Sequence, residues 1–139
     1  MHLLDTDTLT HLYVGHPRVV ERLRTVEETL VGTTIITKIE MIRGRFDHLL
    51  KAGDAADLVK AQERLVQTER LLEAILVIAI DIPAARAFDR LREQPRLRKI
   101  GRADLLIAGI ALANRAVLVT RNVRHFRLIP DLRVVNWVD

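Results

Sequence analysis

The chain has 139 residues, 49% of them hydrophobic and 29% charged, with a net charge of +4 and no cysteine. That length fits one domain, 1–139, whose core must come from Leu, Ile, Val and Ala because aromatics are only 4%. Without cysteine there is no disulfide, thiolate zinc site or cysteine nucleophile, which suits a reducing cytoplasm, and the modest positive charge is compatible with RNA without requiring it.

The opening His2-Leu3-Leu4-Asp5 reads as a short strand ending in an acid. No basic leader precedes an apolar stretch there, so no signal peptide is expected. Pro17 opens a helix over 18–24, since proline is tolerated in a first helical turn. Leu30 to Ile36 is rich in β-branched residues and predicts a second strand. From Thr37 the apolar spacing turns helical through Ile39, Ile42, Phe46 and Leu49, and Asp54 to Glu73 predicts a second amphipathic helix. The two form a hairpin broken at Gly53, whose apolar stripes suit contacts with a partner chain and packing within the chain equally well. Ile75 to Ile80 is an apolar run of strand length; Asp81 and Pro83 then start a helix that ends before Pro95. Ala103 to Asn114 reads as a helix, and Ala116 to Thr120 and Leu132 to Val135 as strands.

Strands that are apolar runs, alternating with helices, fit a mainly parallel sheet covered on both faces. The fold class is therefore α/β, a single α/β/α sandwich. The helix through Leu105 to Ala113 is apolar all round, which predicts a central, buried position. That run is well short of the ~20 residues of a membrane helix, so no membrane association is expected.

In such a sheet, ligands bind outside the carboxyl ends of the strands. Asp5 ends the first strand, Glu40 follows the second, Asp104 opens the buried helix, and Asn122 lies just past Thr120. Taken singly, each has an ordinary alternative. Asp5, with Thr6 and Asp7, and Asp104 are also good helix caps; Glu40 flanks an apolar stripe; Asn122 is a common turn residue. Their joint placement at one edge points further. Three carboxylates in a partly desolvated cleft repel one another, and a hard divalent cation such as Mg²⁺ or Mn²⁺ resolves the repulsion. Beside a phosphodiester that is the chemistry of metal-assisted hydrolysis.

These residues sit in motifs that resemble those of PIN domains. Leu3-Leu-Asp-Thr-Asp7 and Ile39-Glu40 look like the opening motifs, Ile100-Gly-Arg-Ala-Asp-Leu-Leu-Ile-Ala108 like the third, and Val119-Thr-Arg-Asn-Val-Arg-His-Phe126 like the fourth. Ile129-Pro-Asp-Leu-Arg-Val-Val-Asn-Trp137 is similar to the end of VapC-type toxins. The resemblance covers the whole chain. It implies a PIN-like fold and a Mg²⁺- or Mn²⁺-dependent endoribonuclease. It also implies a homodimer neutralised by a small cognate antitoxin of the VapB kind. It carries Asp5, Glu40 and Asp104 over as metal-binding acids, with Asn122 completing the catalytic set where many relatives have aspartate. An amide there brings an oxygen but no charge, which puts a second tightly held metal in question. Asp7 is either a helper acid or a cap, and Thr120 is placed to orient a water or phosphate. Arg43, Arg102, Arg121 and Arg124 are the RNA-contact candidates, through charge.

Two alternatives compete. Leu4-Asp-Thr-Asp-Thr-Leu9 also resembles the opening motif of haloacid-dehalogenase-type phosphatases, with Asp5 as nucleophile and Asp7 as acid/base. That family needs a later lysine and acidic pair, whereas past Thr120 this chain has no lysine and only Asp131 and Asp139. The other alternative is a non-catalytic RNA-binding or regulatory module with a degenerate site, for which Asn122 argues and the retained acids argue against.

Overall fold

The computed structural model describes residues 1–26 and 30–139. Within them, β1 (His2–Leu4), β2 (Val31–Thr34), β3 (Leu76–Ile78), β4 (Val117–Val119) and β5 (Arg133–Val135) form one sheet in the order β3-β2-β1-β4-β5. Every pairing is parallel, and Leu4 lies level with Thr33 on one side and Val119 on the other. The helices are α1 (Thr6–Tyr13), α2 (Pro17–Thr25), α3 (Ile35–Leu50), α4 (Ala55–Ala74), α5 (Ile82–Arg92), α6 (Arg102–Ala113) and the single turn α7 (Val123–Phe126).

Successive strand residues point to opposite faces, and the core divides accordingly. Leu118 packs with Phe88, Leu91, Leu105, Ile107 and Phe126 from α5, α6 and α7. Leu4 and Val119 pack with Leu9, Val19, Met41 and Leu72 from α1 to α4. Both faces are covered, as the parallel sheet requires. The expected sandwich is what forms. A side chain on Gly109 of α6 would meet the Ala84 carbonyl and the Phe88 amide at 3.1 Å. Glycine there lets α5 lie against α6, whose residues 107–111 are all buried.

Three local expectations change. Ile35 and Ile36 do not extend β2; they are the first turn of α3, because the Thr34 hydroxyl accepts from the Thr37 amide and caps the helix. Segment 6–13, given no helix by the apolar pattern, is α1, capped by Asp5 and pinned by the buried Leu9. The third strand is shorter than the run 75–80, and Leu76 and Ile80 stay exposed because β3 is an edge strand. Asp54 and Asp81 do cap α4 and α5 through the amides of Asp57 and Ala84.

Candidate active site

The order of the sheet reverses at β1, where β2 leaves on one side and β4 on the other. The crevice beyond the carboxyl ends of β1 and β4 is where such a sheet binds ligands. Asp5 stands at its floor, only 9% exposed. One carboxyl oxygen, Oδ1, accepts from the Thr8 amide at 2.9 Å, and the Thr120 hydroxyl also bonds to this carboxyl. Burial outweighs the bonds from Thr120 and from the backbone and side chain of Thr8, and holds the Asp5 carboxyl above its ordinary range, with Asp7 adding a little repulsion. The cap and the site acid are thus one residue. The backbone N–H of Asn122 donates to the Thr120 hydroxyl at 3.0 Å, so Thr120 ties the Asp5 side of the crevice to the loop after β4.

Asp104 is in the first turn of α6, but the cap is Gly101, which removes capping as a reason for Asp104. Burial raises its pKa, the neighbouring His125 lowers it, and the like charges of Glu40 and Asp5 raise it again. His125 Nε2 lies 3.5 Å from Asp104 Oδ2. Glu40 comes from the second turn of α3 and is exposed. Its Oε1 accepts a 2.7 Å hydrogen bond from the Thr6 hydroxyl, which also lies 3.1 Å from the Thr37 hydroxyl. Asp5, Glu40 and Asp104 therefore share one field at one edge, delivered by β1, α3 and α6.

A three-acid cage is not preformed: among the described residues no three His, Asp or Glu side chains are grouped to hold an ion together. Glu40 is engaged by Thr6, and His125 flanks Asp104. The donor set still fits a hard divalent ion, which is commonly bound by one or two carboxylates and otherwise by water. Asn122 is exposed, and its side chain does not cap α7. Asp7 is exposed at the rim, 3.7 Å from His11 Nδ1.

Of the four arginines read as RNA contacts, Arg121 is clamped to Asp139 by bonds of 3.1 and 3.2 Å, so its charge is matched within the chain. Arg102 lies over the Phe88 ring, 4.8 Å from its centroid. Arg43 and Arg124 are exposed, with no carboxylate partner among the described residues. Two neighbours of the acids were given no part in the site by the sequence, Thr6 and His125. His125 was visible in the Arg-His-Phe run of the fourth motif; Thr6 reads locally only as a cap candidate, because the acid it bonds is 34 residues away.

Comparison with known proteins places the whole chain. The family profile described as PIN domain matches residues 2–132. The Haemophilus influenzae protein named Ribonuclease VapC1 is 31% identical over 139 residues, 99% of this chain and 98% of its own. The Salmonella typhimurium protein named tRNA(fMet)-specific endonuclease VapC is 25% identical over 97% of this chain and 96% of its own. Among solved structures, VapBC-1 from nontypeable Haemophilus influenzae superposes with a TM-score of 0.82 at 26% identity, covering 99% of this chain and 98% of that one. DNA-bound VapBC from Salmonella typhimurium gives 0.80 at 25% identity, with 98% and 97% covered. The phosphatase alternative falls with these matches, and the chain belongs to the PIN domain family.

Proposed function

We propose that this chain, as one domain over 1–139, is an endoribonuclease and the toxin of a toxin–antitoxin pair, working in the cytoplasm with Mg²⁺ or Mn²⁺. The observation that carries the reading is the mutual field of Asp5, Glu40 and Asp104 at the crevice. The relatives named ribonucleases and the solved VapBC toxin–antitoxin complexes support it. The solved VapBC complexes support a small VapB-like antitoxin as its partner, and in this reading the working form is a homodimer. Among the described residues no helix is long and apolar enough to cross a membrane.

Asp5, Glu40 and Asp104 would hold the ion in this reading, with Glu40 steadied by the Thr6 hydroxyl. The bound ion supplies polarisation of a phosphoryl oxygen and neutralises charge on the leaving oxygen. Thr120 fixes the Asp5 carboxyl and, with the amide-bearing Asn122, borders the phosphate. The amino end of α6 adds backbone donors toward an anion. Asn122 contributes no charge, so one ion per site is expected.

The purified, antitoxin-free protein is expected to cut total or transfer RNA into discrete fragments with Mn²⁺ or Mg²⁺ and to stop when a chelator is added. A folded protein that binds RNA but cuts nothing with either metal would be the non-catalytic module instead. A pH effect follows from the acids. The ionised forms of Asp5 and Asp104 take up the ion, and both pKa values lie above the ordinary carboxylate value of 3.8. Protons therefore compete for the site at higher pH than for ordinary carboxylates, and metal affinity falls as the pH drops through that raised range. Titrating Mn²⁺ binding calorimetrically across acid pH checks this; an affinity unchanged down to pH ~4 would remove Asp5 and Asp104 from the ligand set.

A further inference from the structure

We infer that the groove along the α3–α4 hairpin seats the RNA phosphates that flank the cleaved bond, an inference that rests on the nuclease reading above. A cavity of about 330 Å³ opens beside α1, α3 and α4, with Thr6 and Glu40 at one end and Arg45, His48 and Arg64 along it. A second cavity, also about 330 Å³, shares His48 and Arg64 and continues to Lys51 and Lys60; Asp57 is the acid that lines it. The path thus begins at the acids of the crevice and leaves it along a line of cations.

Arg45 is the anchor. It is half-buried, its Nε donates to the hydroxyl of the fully buried Thr68 at 3.1 Å, and its guanidinium sits 5.0 Å from the Tyr13 ring centroid. The Tyr13 hydroxyl donates in turn to Gln67 Oε1 at 2.6 Å. Among the described residues, neither Arg45 nor Arg64 has a carboxylate partner. A guanidinium held in place, partly out of water and with no acid paired to it among the described residues, is suited to an anion. Nε is spent on Thr68, which leaves the two terminal nitrogens for a ligand, and such a pair can grip phosphate oxygens together.

The length of the strip favours a polyanion over a lone carboxylate. From Glu40 to Lys51 the α3 axis covers about 16 Å, at ~1.5 Å per residue, which is room for more than one phosphate. A strand whose reacting phosphate lies among the acids must leave along one side of the crevice, and this side offers a continuous row of cations, Arg45, His48, Arg64, Lys51 and Lys60. Arg121, by contrast, is already neutralised by Asp139.

The test is binding of a fluorescein-labelled single-stranded RNA oligonucleotide to the antitoxin-free protein over a salt series, in an Asp104→Asn background so that nothing is cut. Arg64→Gln changes an exposed residue and leaves the fold alone; it is expected to weaken binding roughly tenfold, as lost hydrogen bonds to a charged group do. The slope of log affinity against log salt should shrink by about 0.7 for each lost phosphate contact. Arg45→Gln should do the same, and Arg45→Lys, which keeps the charge but cannot reproduce the fork, should recover part of the affinity. Arg90→Gln, in the last turn of α5, serves as the control. In otherwise wild-type protein, Arg64→Gln should raise the half-saturating RNA concentration far more than it lowers the rate at saturation. Wild-type affinity and salt slope in both Arg45→Gln and Arg64→Gln would overturn the inference. So would variants that bind RNA normally but lose a purified antitoxin, since the groove would then belong to a protein partner. If no metal supports cleavage by the wild-type chain while the slopes still fall, the nuclease reading fails and the groove is an RNA-binding surface with no cleaved bond beside it, which overturns the inference as stated.

Discussion

Asp104→Asn is expected to reduce RNA cleavage by on the order of 10³-fold, the effect of losing several kcal/mol of charge stabilisation at the reacting phosphate. Without divalent metal, the same variant should be at least as heat-stable as the unaltered chain at neutral pH. The two halves of this expectation come from one electrostatic fact. Burial and the charges of Glu40 and Asp5 hold the Asp104 pKa above its ordinary value, with His125 only partly offsetting them. A carboxyl whose pKa is higher in the folded than in the unfolded chain contributes stability only at low pH. That contribution is lost as the pH rises through the folded value, and at neutral pH the ionised group opposes folding. Asparagine keeps the shape, cannot ionise and ends the repulsion. Because Gly101 caps α6, no cap is lost. Single-turnover cleavage in Mn²⁺ and thermal melting in chelator measure the two halves. A variant that is inactive and also several degrees less stable would mean that Asp104 holds the structure together and is not retained at a cost for chemistry.

How much of this was legible in the sequence depended on whether a signal was local. The apolar runs at Leu3-Leu4 and Val117 to Val119 announced parallel strands because both faces of each are covered, which is a property of the strand's own residues. The uniformly apolar α6 announced its burial in the same way. The β2–α3 boundary was misplaced because Ile35 and Ile36 have the composition of a strand, while the deciding contact is a single cap from Thr34. Helix α1 was hidden for a related reason: Thr6, Thr8 and Thr10 are poor helix formers, and burial of Leu9 together with the Asp5 cap overrides them. The three acids could be aimed at one edge from topology alone, since each follows a strand or opens a helix there. What topology could not convey is which oxygens are already engaged. Thr6 holding Glu40 and His125 beside Asp104 are contacts between distant segments, and they keep the acids from forming a closed cage. The same limit applied to the arginines. Arg121 and Arg45 look alike in sequence, yet one is matched by Asp139 and the other, among the described residues, has no acid beside it.

Phe126→Ala is expected to cost about 3–5 kcal/mol of folding stability, the usual range for emptying a buried phenylalanine site. Phe126 is 2% exposed and packs in the cluster with Leu118, Ile107 and Ile129, so its ring joins α6, β4 and the segment after α7. The surrounding elements cannot easily close over the gap, because β4 is held by β1 and β5 on its two sides and α6 is fixed against α5 through Gly109. A loss of that size is a large part of the 5–15 kcal/mol that a domain typically has. The ring also serves the site. Helix α7 is one turn long, too short to persist by its own hydrogen bonds, and His125 lies edge-on to Phe126 with centroids 5.7 Å apart. Removing the ring therefore frees His125 from Asp104 as well as opening the core. Phe126→Leu, which retains most of the buried volume, should cost roughly 1 kcal/mol and leave His125 in place. Urea melts of the two variants separate the contributions, with cleavage measured well below the unfolding midpoint. An alanine variant that melts within about 1 kcal/mol of the unaltered chain would show that α7 is not part of the main cooperative core. His125 would then have to be held by something other than the ring behind it.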